Sequence, residues 1–195
     1  MVMGLSDKNK YGLIIFLGFL GATFLLSYLL DNADRSEEVK LMIEACSDIK
    51  AHETLRAEED FEQIMKVVSG HVHTYRNQSD TILAQAVAEL HELSNEAEFR
   101  NLHTPLYHQK FADVLNRLAY LELEDAVYLV EKNQKDKAEG AIRRAEHYMY
   151  DALTFSQNPK HYEQLDLLYE IRNLNKRKPN SHNIELSLAM LKQQL

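Results

Sequence analysis

The sequence predicts an all-α protein: a single N-terminal transmembrane helix followed by an extracytoplasmic bundle of antiparallel helices. Three observations predict it. The nineteen residues 12–30, GLIIFLGFLGATFLLSYLL, carry no charge and no proline. From Ser36 onward, apolar residues recur at helical spacing on otherwise charged segments. No stretch alternates with period two over the length of a strand.

A helix of this apolar length, rising ~1.5 Å per residue, covers roughly the 30 Å hydrocarbon core of a bilayer. Its polar side chains are Thr23, Ser27 and Tyr28, and Tyr11 and Tyr28 stand near the ends, where interfacial aromatic residues collect. A cleaved signal peptide has a shorter apolar core, about 7–15 residues, with small residues at the cleavage site. Cutting after Ala33 would put Asp31 at the third position before the cut, so retention as a signal anchor is expected. Lys8 and Lys10 precede the stretch, and Asp31, Asp34, Glu37 and Glu38 follow it with only Arg35 and Lys40 for balance. That asymmetry predicts a cytoplasmic N-terminus. The expected organisation is a cytoplasmic tail (1–10), the anchor (11–30), a juxtamembrane helix or stalk (31–78) and a helical domain (79–195). That domain ends in a terminal helix, 181–195, and is periplasmic or otherwise extracytoplasmic. Within the anchor, Gly18, Gly21 and Ala22 form a small-residue face suited to close packing of another helix.

After the anchor, Ser36 followed by acidic residues is a good helix start. Val39, Met42, Ile43, Cys46 and Ile49 form one apolar stripe, and Phe61, Ile64, Met65 and Val68 a second. Between them apolar residues thin out, so the helix either crosses solvent there, as a stalk does, or breaks near Thr54. Gly70 and the run RNQSD at 76–80 close this segment. A second helix starts at Ser79 or Asp80, with Ile82, Leu83, Ala86, Leu90, Leu93 and Ala97 inward. Thr104-Pro105 opens a third, to about residue 132, because threonine caps well and proline suits the first helical position. The loop NQKDK separates it from a fourth, whose stripe of Ala138, Ala141, Ala145 and Ala152 predicts a close αα-hairpin with the third. Asn158-Pro159 ends that helix and opens a fifth. After the basic linker KRKPN, Ile184, Leu188, Leu191 and Leu195 form a narrow seam like that of a coiled coil. An alternative to the bundle is a short tetratricopeptide-like array of helical hairpins over 105–155. That repeat's tryptophan-bearing signature and its period near 34 residues are both missing from the sequence.

With 22 basic against 30 acidic residues the net charge is −8, which disfavours nucleic acid and anionic lipid as ligands. The single cysteine, Cys46, reads as a small buried hydrophobe, or else as the site of an intermolecular disulfide between two copies. None of the nine histidines has an acidic residue three positions before it, so the paired Glu-x-x-His of a di-iron bundle is missing. The His-Glu-x-x-His, Cys-x-x-Cys-His, phosphate-loop and nucleophile-elbow motifs are missing as well. What remains is Asp48 with His52, His147 with Asp151, and the pair His71 and His73, the only candidate metal ligands. No catalytic residue and no cofactor are expected. The carboxylate groups Glu58, Glu59, Asp60, Glu62 and Glu122, Glu124, Asp125 read as solvated helix faces that could also meet a cation or a basic partner.

Of the ten tyrosines, Tyr120, Tyr128, Tyr148, Tyr150, Tyr162 and Tyr169 are among those that fall within 105–175. Tyrosine combines a large apolar body with a polar tip, which suits both cores and protein interfaces. Tyr148, Tyr162 and Tyr169, with the terminal seam, are the expected partner interface. The function expected is that of a non-catalytic, membrane-anchored accessory or scaffold subunit, whose partners are the lipid bilayer, other subunits of a membrane complex and another copy of itself. Two other classes stay open. A periplasmic sensor or binding module would need a partner, because ten cytoplasmic residues hold no output domain. A haem- or metal-binding bundle is the third, since non-covalent haem leaves little sequence trace.

Overall fold

Seven α-helices and no strand are present among the residues that the computed structural model describes, 35–70, 79–98, 104–156, 160–175 and 180–193. They are α1 (Glu37–Lys50), α2 (Thr54–Gly70), α3 (Ser79–Glu98), α4 (Thr104–Glu131), α5 (Lys135–Phe155), α6 (Lys160–Asn175) and α7 (Ser181–Lys192). The chain divides into two units, Met1–Ser36 and Glu37–Leu195, and the helices make up the second. Among the described residues no helix is long and apolar enough to cross a membrane. The stretch 12–30, with its packing face Gly18, Gly21 and Ala22, lies outside the described residues.

Two of the interhelix turns are closed the same way. At the end of α1 the His52 amide donates to the Ile49 carbonyl (3.1 Å) and the Glu53 amide to that of Asp48 (2.8 Å), with His52 at φ 62. At the end of α4 the Asn133 amide donates to Val130 (2.9 Å) and the Gln134 amide to Leu129 (2.8 Å), with Asn133 at φ 59. Both are Schellman closures, which use a left-handed residue to satisfy the last carbonyls of a helix. Of the two readings for the thinned region around residue 54, the break is the one observed. Asp48 and His52 consequently do not share a helix face, because α1 ends before His52.

Each helix packs on the next in sequence, and α7 returns to pack on α4. α4 is the centre. All ten residues 114–123 are buried, including the polar Asn116, Arg117 and Glu122, as expected of a helix covered on every side. α3, α5 and α7 all pack on it, and Phe61 of α2 reaches Phe111 at a ring distance of 5.8 Å. The alanine stripe behaves as expected: Ala138, Ala141, Ala145 and Ala152 are all fully buried, and α5 packs chiefly against α4.

The segment read as a stalk is different in kind. Val39, Met42, Ala57, Phe61, Ile64 and Val68 have no exposed surface and belong to the same hydrophobic cluster as α3–α7. The apolar residues dilute around residue 54 because a turn lies there, while the stripes on either side of it fold back into one core. Each fully buried large side chain of this kind contributes about 1.5–3 kcal/mol, reason enough for the hairpin to dock. A boundary at residue 78 therefore does not separate stalk from domain.

Candidate functional site

Several polar side chains in the interior of the helical unit bond across from one helix to another. Arg117 on α4 donates to Gln85 (2.9 Å) and Glu89 (2.8 Å) on α3. Arg144 on α5 grips the buried Glu122 carboxylate through two bonds of 2.7 and 2.8 Å. Glu38 at the start of α1 accepts a hydrogen bond from the Tyr148 hydroxyl. Paired geometry of this kind offsets the desolvation of the charges and fixes the register between helices. Glu122 is thus not part of a solvated acidic face. Burial raises the Glu124 carboxyl, against the opposing effects of the Tyr120 hydroxyl and of Lys192 on α7.

The terminal helix is held by a second set of bonds. Asn180 caps it by accepting from the Asn183 amide (2.9 Å), and the Asn183 side chain donates to the Leu174 carbonyl of α6 (2.7 Å). Asn175 donates to the Ser187 hydroxyl (2.8 Å), which itself donates to the Asn183 carbonyl (2.9 Å). Ile184 and Leu191 are fully buried, and Leu188 is half-buried against the core. These three are therefore not a partner interface. The seam is covered by α4 and α6 of the same chain, and Leu195 lies outside the described residues. Tyr148 is likewise buried, while Tyr162 and Tyr169 on α6 stand 64% and 53% exposed. Tyr150 on α5, not singled out in sequence for an interface, is exposed as well.

At the α1–α2 hairpin, Asp60 is pushed up to about 6, first by burial and then by Asp48, Glu44 and Glu59, with Arg56 opposing. The buried Cys46 thiol is pushed up to about 12 by desolvation, against a smaller pull from Lys50. The side chain packs in the hydrophobic core as a small apolar group. His108 sits half-buried beside Tyr107 and Phe155, its pKa lowered by burial and by Lys50 while a bond to the Phe155 backbone opposes. His147 is exposed and Asp151 buried, and His71 and His73 lie outside the described residues. Among the described residues no three His, Cys, Asp or Glu side chains are grouped to hold a metal ion.

What the described side chains bring to the surface is a tyrosine-bearing face on α5 and α6, and that face is the candidate functional site. No family model, no curated protein and no solved structure matches the chain.

Proposed function

We propose that this chain is a non-catalytic, membrane-anchored accessory or scaffold subunit that presents its helical unit to partner proteins of a membrane complex. The observation that carries the reading is the uncharged stretch 12–30, followed after residues 31–36 by a helical unit with its own core. Nineteen such residues expose a large apolar area in water, and a membrane-spanning helix hides both that area and the backbone polar groups. The flanking charges give a cytoplasmic N-terminus and a periplasmic or otherwise extracytoplasmic helical unit. Gly18, Gly21 and Ala22 allow a helix of another subunit, or of a second copy, to approach closely within the bilayer.

The helical unit supports a presenting role rather than a reactive one. Glu38, Arg117, Glu122 and Ser187 each take a hydrogen bond to a neighbouring helix, which makes the unit a defined surface. Tyr162 and Tyr169 lie on the part of that surface with the residue type that protein contacts favour.

The test is fractionation followed by mild detergent extraction. The chain is expected to stay with the membrane in alkaline carbonate, to keep a tag at Met1 protected from external protease, and to co-purify with other membrane proteins. Release by carbonate, or purification as a lone chain from mild detergent, would overturn the reading.

A further inference from the structure

We propose that the outward face of the α5–α6 hairpin binds a Lys- and Arg-rich protein segment. α6 turns Gln164, Leu167, Leu168 and Ile171 inward and leaves Tyr162, Glu163, Asp166, Tyr169 and Glu170 exposed. Residues 162, 166 and 169 follow one another at helical spacing, as do 163, 166 and 170, so tyrosines and carboxylates run as adjacent rows along a single stripe. Arg172 of α6 donates to Glu146 of α5 at 3.1 Å, which sets the two helices against each other. Tyr150 is four residues after Glu146 and Tyr169 three before Arg172, so each lies one turn from that bond on the same side of its helix. Three exposed tyrosines thus share one surface with three carboxylates.

The charge on this surface selects the occupant. The exposed cation of the described α6 face, Arg172, is already bonded to Glu146, so Glu163, Asp166 and Glu170 leave the stripe anionic. An ammonium or guanidinium group gains there twice, from the carboxylates and from the negative faces of the tyrosine rings. The chain pairs the same groups internally, with Lys132 at 5.5 Å from the Tyr128 ring centre. An anionic lipid surface is repelled by the same charges. A second copy docking through this face about a two-fold axis would bring each carboxylate row toward its own image, the arrangement that like charges resist. A cationic segment satisfies both the rings and the charges.

The inference rests on the scaffold reading and is tested apart from it. The full chain in a neutral detergent is titrated into a labelled Leu/Lys peptide patterned as an amphipathic helix, and into a control with Glu at every Lys. The Lys peptide is expected to bind, to release as salt is raised, and to leave the Glu peptide unbound. Tyr162→Ala with Tyr169→Ala is expected to weaken binding about tenfold, and Asp166→Asn with Glu170→Gln to weaken it while leaving the tyrosines in place. Glu59→Gln with Glu62→Gln, which removes two exposed charges from α2, is expected to leave binding unchanged. Equal binding of both peptides, no binding of the Lys peptide, an equal loss from the α2 pair, or tyrosine-dependent self-association in place of peptide binding would each overturn the proposal. A co-purifying subunit that docks elsewhere would also overturn it and leave the scaffold reading standing.

Discussion

Tyr148 on α5 donates its hydroxyl to the Glu38 carboxyl on α1 at 2.5 Å, across 110 positions of sequence, and both side chains are buried. The bond fastens the first helix of the unit to the fifth. Removing the donor while keeping the ring takes one hydrogen bond from a buried carboxyl, which costs about 1–3 kcal/mol. Tyr148→Phe is therefore expected to lower the unfolding free energy by that amount, read as a lower denaturant midpoint with an unchanged slope. A midpoint equal to that of the unsubstituted chain would show that the bond contributes nothing.

The terminal helix is expected to be part of the fold. Leu191 and Ile184 are fully buried, and truncating such a side chain to alanine costs about 2–5 kcal/mol. Leu191→Ala should therefore lower the melting temperature, whereas truncation of the exposed Leu186 should change it little. Equal melting of the two variants would return the seam to the role of a free docking helix.

Asp60 makes a pH-dependent contribution whose sign follows from its surroundings. Its pKa in the fold, about 6, stands above the ordinary 3.8, so folding disfavours the ionised form. The penalty is absent below about 3.8, grows as pH rises, and is complete above about 6. Asp60→Asn is expected to melt higher than the unsubstituted chain at pH 7, with the gap closing on acidification through that window. A gap that stays constant from pH 7 to pH 4 would refute this origin.

Two backbone sites offer stabilising substitutions. Gly140 lies within α5, and a Cβ added there would meet only the Arg144 guanidinium at an ordinary 3.6 Å. Gly140→Ala should raise stability by roughly 0.5–1 kcal/mol. Asn133, at φ 59, holds the left-handed position of a Schellman closure, where glycine carries no Cβ penalty. Asn133→Gly should be neutral or stabilising, and Asn133→Val should melt lower than either. Thermal unfolding of the three variants side by side decides both points.

Much of the fold was legible because helix periodicity and capping are local properties of the chain. The starts at Ser79 and at Thr104-Pro105, the turn after residue 132 and the alanine stripe on α5 all appear where the sequence puts them. The chemistry that caused each lies within a few residues of it. Stalk and core were not distinguishable this way, because the stripes of α1 and α2 read the same whether they face solvent, a partner or their own domain.

What the sequence determined by itself is the all-α class, most helix limits, the net charge of −8 and the uncharged stretch 12–30. Only the tertiary structure decided which surfaces remain open. It placed α4 at the centre, drew Ile184, Leu191 and Tyr148 inside, and left Tyr150, Tyr162 and Tyr169 outside. The physical reason is that an apolar stripe specifies that it will be buried but not against what. The choice of neighbour is made by packing and by pairs such as Glu38 with Tyr148 or Asn175 with Ser187, whose members meet only once the chain has folded.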